Sequence, residues 1–211
     1  MPIYLPLFPL NIVVFPGEKL NLHIFEPRYK QLISECHAQN STFGIPTFVN
    51  NGVGRFGTEI KILSVEKNYE GGEMDIKTRG LRSFKIKEFF RTLPGKLYAG
   101  GIIELVEDVQ NEDPALKVRI VEHLRQLYEI LGLSSLFMEL APDFKSNDIA
   151  HHLGFTMEKE YELLQCESEQ ERQLLIVEHL EQILPVINQT ERLKEKARMN
   201  GHFKNLTPPD F

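Results

Sequence analysis

The sequence predicts an α+β chain, β-rich over residues 1–108 and helical over residues 109–200, with a short tail at residues 201–211. Three observations carry this. Short apolar runs with period-two alternation, punctuated by Gly and Pro, fill the first half. From Pro114 onward, apolar residues recur every three or four positions between capping signals. Between these halves the polar stretch Asp108, Asn111, Glu112, Asp113 interrupts the apolar pattern.

The chain opens with Leu5-Pro6-Leu7-Phe8-Pro9-Leu10 and Ile12-Val13-Val14-Phe15-Pro16-Gly17. Each proline removes a backbone donor and fixes φ, so this segment reads as extended chain with turns after Phe8 and Phe15. Phe8, Phe15 and Phe25 read as core plugs. Leu20, Leu22 and Ile24 alternate as a half-buried strand, and Pro27 suits the first turn of a helix over Arg28 to Gln39. Phe43 to Val49 is a strand whose Pro46 marks an edge or a bulge. Residues 50–54 read as a loop. Thr58 to Tyr69 and Met74 to Thr78 form a hairpin about Glu70-Gly71-Gly72. Gly80 is expected to break the run, with a further strand at Phe84 to Phe89 and a last one over Leu97 to Val106. Six or seven such strands predict a closed or nearly closed, barrel-like sheet.

In the second half, Pro114 starts a helix carrying Val118, Val121, Leu124, Tyr128 and Leu131, stopped at Gly132. A second helix is expected from Ser146 through Ile149 to Leu153. Thr156 caps a short third, Met157 to Gln165. The next opens at Ser168-Glu169-Gln170-Glu171, a capping-box pattern. It carries Leu174, Leu175, Val177, Leu180, Ile183, Leu184 and Ile187, and Pro185 is expected to kink or restart it. This half reads as a small helical bundle.

Apolar content of 42% and charged content of 26% suit a globular protein. No apolar run approaches the roughly 20 residues that span a bilayer, and the N-terminus lacks a basic signal-peptide region. Cys36 and Cys166 are far apart, which fits reduced thiols and a cytoplasmic location. The first 108 residues hold 13 basic and 12 acidic side chains, the remainder 11 and 18. An acidic second half counts against a nucleic-acid backbone as the main partner.

No motif carries catalysis. Gly71-Gly72 and Gly100-Gly101 lack the Lys and hydroxyl that complete a phosphate loop. His151 and His152 are neighbours and point apart on a helix, so the seven histidines read as packed or surface side chains rather than metal ligands. Cys36-His37 is likewise no nucleophile–base pair, and Cys36 reads as a semi-buried structural thiol. The sequence marks no catalytic residue, no metal ligand and no cofactor. Lys77, Arg79, Arg82, Lys85, Lys87 and Arg91 form one basic strip, either a site for RNA or an acidic partner or simply a solvated outer face. Phe48, Phe56 and Tyr69 flank Gly-rich loops and are candidates for an exposed apolar patch. The tail reads either as frayed or, given Phe203, Leu206 and Phe211, as docked on its own chain or on a partner.

The opening motif, through Leu20-Asn21-Leu22-His23-Ile24-Phe25-Glu26-Pro27-Arg28-Tyr29, resembles the amino-terminal substrate-binding domain of Lon proteases, particularly the stand-alone members and the related domain of cereblon. The Thr78-Arg79-Gly80-Leu81-Arg82-Ser83-Phe84 turn looks like the family's Gly-Xaa-Arg step. Ile149 to Leu184 looks like its helical region, and the similarity spans roughly residues 3–188. The resemblance implies a PUA-like β-barrel followed by a helical subdomain. It implies a non-enzymatic module, because the ATPase and the Ser–Lys proteolytic modules have no counterpart here. The implied partner is an unfolded polypeptide segment or a protein, held in a groove at the barrel–bundle junction, with an adaptor or quality-control role and no membrane contact. The alternative is an RNA- or nucleotide-binding PUA-like module using Lys77 to Arg91. A small-molecule ligand ranks last, since the Cys pairs of cereblon's zinc-bearing drug-binding domain are absent. Binding residues and oligomeric state stay open.

Overall fold

A computed structural model describes residues 3–138, 141 and 143–202. The tail reading therefore lies outside the described residues from position 203 on. The chain divides into two compact units, residues 1–110 with 145–169, and residues 111–144 with 170–211. The short helical segment 145–169 thus belongs with the sheet, whereas the sequence pattern grouped it with the later helices.

The first unit runs β1 (Ile3–Leu7), β2 (Lys19–Ile24), α1 (Pro27–Gln39), β3 (Phe43–Val49), β4 (Gly52–Asn68), β5 (Met74–Phe90) and β6 (Ala99–Leu105). One six-stranded sheet has the order β2-β5-β4-β3-β1-β6, and β6 pairs again with β5. The sheet therefore closes as a ring. Closure depends on β5, which is long enough to serve three neighbours. Its first half pairs with β2, from Ile24↔Met74 to Lys19↔Arg79, and its second half with β6, from Phe84↔Leu105 to Phe90↔Gly100. Register shifts along β4–β5 mark bulges, which bend and twist a strand enough to curve it round.

Gly80, read as a strand break, lies inside β5. Its amide donates to Glu18 O at 2.9 Å, and its carbonyl accepts from Gly17 N at 3.0 Å. A Cβ there would lie 2.4 Å from Phe15 O, so the glycine admits the opening loop rather than ending the strand. Pro46 does sit at an irregularity, the register shift of β3 against β4 between Pro46 and Phe48. The expected loop at 50–54 shrinks to a tight turn in which Asn50 and Asn51 have φ of 52° and 61°.

Two apolar clusters fill this unit. One joins α1 (Tyr29, Leu32, Ile33, Cys36) to Phe8, Ile24, Phe43, Ile45, Ile60 and Ile76. The other, Leu5, Leu7, Phe84, Ile86 and Ile103, comes from β1, β5 and β6. Gly44 and Gly57 make room beside it: a Cβ on Gly44 would lie 2.7 Å from Leu7 Cδ2, and one on Gly57 2.5 Å from Ile45 O. Phe8 and Phe15 are core plugs as expected, but Phe25 is 61% exposed. It stacks near His23 at the surface instead.

The returning segment holds α4 (Ser146–Ile149), a 3₁₀ turn over Ala150–His152 and α5 (Met157–Gln165). It is tied to the rest of the unit at several points. Val109 N donates to Glu167 O, and Glu169 N to Val109 O, each at 2.9 Å. Tyr161 of α5 accepts from Phe56 N at 3.0 Å, with its ring edge-on to Phe56. His151 completes the attachment. Its Nδ1 lies 2.8 Å from Glu160 Oε1 and its Nε2 3.3 Å from Glu18 Oε2, with the Phe15 ring edge-on at 5.2 Å. A neutral imidazole can donate from only one nitrogen. Two carboxylate partners therefore favour the imidazolium, and Glu18 first, then Glu160, push the His151 pKa up to about 9 against the cost of burial.

The second unit holds α2 (Pro114–Ile130), α3 (Ser134–Met138) and α6 (Glu169–His202), the last beginning at the edge of the first unit. Asp113 caps α2 by accepting from Ala115 N at 2.8 Å, and Asp113 N donates to Gln173 Oε1 at 2.8 Å. The buried stripe of α2 is Leu116, Ile120, Leu124, Leu127 and Tyr128. The sequence reading rotated that stripe slightly, since Val118 is 56% exposed and Leu131 also faces solvent. Helix α6 continues through Pro185 without restarting. No described helix is long and apolar enough to cross a membrane.

Candidate binding cleft

The first unit holds a cleft of about 790 Å³. It is built where the ends of several elements meet: the start of α1, the β3–β4 turn, the late part of β5 and the approach to β6. Phe48, Val53, Ile86, Phe89, Leu97 and Ala99 make its apolar surface. Phe48 is 40% exposed and Leu97 59%, so two large side chains face solvent here. Four cations, Arg28, Arg55, Lys87 and Arg91, also line it, and among the described residues no carboxylate does.

Arg28 and Tyr29 come from the opening motif and reach the cleft because Pro27 starts α1 beside it. Glu26 holds Arg28 at 2.8 Å, and the guanidinium lies over the Tyr29 ring, 4.5 Å from its centre. Phe8 stacks on that ring at 3.7 Å between centroids. Tyr29 is only 7% exposed. Burial pushes its phenol pKa up, while Arg28 opposes the rise. Lys87 pairs with Glu104. Arg55 and Arg91 have no acidic partner among the described residues.

The basic strip singled out from the sequence does not stay together as a free positive face. Lys77 pairs with Glu66 at 2.8 Å and Arg82 with Glu59 at 2.8 Å. Lys85 lies over the Phe56 ring, 5.5 Å from its centre. Arg82 meets Glu59 at a bulge, where Leu81 and Arg82 oppose one residue of β4, and this breaks the alternation expected of the strip. Its last members, Lys87 and Arg91, belong to the cleft.

Other reactive-looking groups are structural. Cys36 is buried, donates to Thr42 O at 3.8 Å, and has its thiol pKa raised by burial, the reverse of an activated nucleophile. It is more buried than the semi-buried thiol expected. His23 pairs with Asp75 at 2.6 Å, and Tyr69 donates to the other Asp75 oxygen at 2.8 Å. These bonds hold the Asp75 carboxyl below the usual range at an exposed site. Lys96 and Tyr98 both donate to Glu35 Oε2, at 2.8 and 2.5 Å, which lowers the Glu35 pKa and ties α1 to the loop before β6. Among the described residues, no group of three or more His, Cys, Asp or Glu is arranged to hold a metal ion.

Phe48 and Tyr69, both flagged from the sequence, are indeed exposed, though only Phe48 lines the cleft. Sequence reasoning missed Arg55 and Leu97. Neither sits in a motif, and only the meeting of the β3–β4 turn with the chain before β6 brings them together.

A closed six-stranded ring carrying one long helix, with a returning helical segment on its flank, defines an α+β domain class. The chain belongs to the ATP-dependent protease La (LON) substrate-binding domain family, whose model matches residues 4–182. A Lon N-terminal domain protein from Xanthomonas campestris is 25% identical over 87% of this chain and 98% of that one, with a TM-score of 0.63. The N-terminal domain of the Mycobacterium avium complex Lon protease shares the fold, with a TM-score of 0.63 over 85% of this chain and 98% of that one at 17% identity. No curated protein matches the sequence. What matches is the domain alone; no protease or ATPase domain is identified in the chain.

Proposed function

We propose that this protein is a non-catalytic module that binds extended polypeptide segments in the cleft of its first unit. The cleft itself carries the reading. Phe48 and Leu97 are large, apolar and exposed at the edge of a recess big enough for side chains, as recognition of unfolded chain requires. Family membership supports the same class of partner, since the matched domain is named for substrate binding. The cleft lies within the sheet unit, so the proposed site moves there from the barrel–bundle groove expected from sequence. We read the ring as a barrel of the PUA-like type, the protein as cytoplasmic, and its role as adaptor or quality control, delivering or sequestering bound chain. The RNA alternative draws less support, because Lys77, Arg82 and Lys87 of the strip are already paired with carboxylates.

The test is a titration against a fluorescent, permanently unfolded polypeptide, followed by anisotropy at low and physiological salt. Saturable binding that survives salt is expected, weakened by Phe48→Ser and Leu97→Asn with the melting temperature unchanged. Absence of binding at tens of micromolar overturns the reading.

A further inference from the structure

The cleft is chemically lopsided in a way that general apolar recognition does not require. Among the described residues four cations and no carboxylate line it, on a chain with 30 acidic and 24 basic side chains. Two of the four are held by neighbours, Arg28 by Glu26 and Lys87 by Glu104. Arg55 and Arg91 are exposed and lack such a partner among the described residues. Tyr29 lines the same cleft, its ring largely buried.

We propose that the cleft selects acidic segments anchored by an apolar residue: extended polypeptide with a large apolar side chain against Phe48, Phe89 and Leu97, and Asp or Glu side chains on Arg55 and Arg91. The inference rests on the polypeptide reading above and narrows it. Arg suits this task because its planar guanidinium meets a carboxylate with two parallel hydrogen bonds and is only weakly hydrated. A polynucleotide would match the cations too. However, its dense charge meets long-range repulsion from a chain of net charge −6, which a segment with a few carboxylates largely escapes. Arg55 and Arg91 are then specificity-determining residues, and the apolar surface supplies the charge-blind part of the affinity.

The experiment compares short N-acetylated, C-amidated fluorescent peptides that share one central Phe and differ only in flanking Glu, Gln or Lys, titrated with the full chain at low salt. The Glu peptide is expected to bind about fivefold to tenfold tighter than the Gln peptide, and the Lys peptide more weakly than either. In the Arg55→Gln/Arg91→Gln variant the preference disappears while affinity for the Gln peptide is retained, which also shows that the variant is folded. Equal affinity for the Glu and Gln peptides overturns charge selection and leaves polypeptide binding standing. Binding of neither peptide overturns both. A preference that survives in the double variant, or tighter binding of single-stranded oligouridine than of any peptide, also overturns the proposal.

Discussion

Replacing His151 with Gln is expected to make the stability of the first unit less sensitive to alkaline pH. In the wild type both ring nitrogens face carboxylates, Glu160 at 2.8 Å and Glu18 at 3.3 Å, and the pKa rises from 6.5 to about 9. A group protonated more tightly in the folded state stabilises that state. The contribution is complete below pH 6.5, the value in the unfolded chain, and is lost as pH rises through about 9. That interval sets a ceiling of roughly 3.4 kcal/mol, at about 1.36 kcal/mol per pH unit. The His151 side chain is 38% exposed, so solvent screening reduces the expected contribution to about 1–2 kcal/mol. The chain has no tryptophan, so urea unfolding is best followed by circular dichroism and by the fluorescence of its six tyrosines. Two measurements check the reasoning. The ring-proton shift of His151 in NMR should titrate well above 6.5, and the stability gap between wild type and His151→Gln should be widest near pH 6 and nearly closed by about pH 10. A gap that stays constant across that range, or an imidazole titrating at its ordinary value, would refute it.

Gly57→Ala should destabilise the ring by about 1–3 kcal/mol in urea unfolding, because the new methyl meets backbone, Ile45 O and Pro46 Cα, each at 2.5 Å, and backbone yields less readily than side chains. Asp113→Ala removes the side chain that caps α2 and should cost about 1 kcal/mol, read as a lower melting temperature with binding to the unfolded polypeptide unchanged.

Much of the fold was legible because its signals are local. The Glu70-Gly71-Gly72 turn, the cap at Thr156 and the Pro114 helix start depend on a few neighbouring residues, and all appear where the pattern placed them. What failed depends on distant chain. Gly80 reads as a break until the opening loop is seen to approach it, and a helical stripe cannot fix its own rotation until its neighbours are known, as Val118 shows. The site followed the same division. Arg28 and Tyr29 were visible in a specific motif, whereas the four-cation lining joins residues from three separate stretches. His151 is the extreme case: its partner Glu18 lies 133 positions away, and no spacing rule spans that distance.

The return of residues 145–169 to the first unit bears on how this chain is made. During synthesis β1 emerges first, but both strands it pairs with, β3 and β6, come later. Leu5 and Leu7 lack Ile103, the last member of their apolar cluster, until about residue 105 has left the ribosome, and the flank of the sheet stays open until Glu169 follows. By then α2 has already been produced, so the two units must assemble while interleaved in time rather than one after the other. A cut at residue 108 would leave Val109, and with it both backbone bonds to Glu167 and Glu169, on the wrong side of the break. The smallest piece expected to fold as the sheet unit therefore runs to residue 169 and carries part of its neighbour within it.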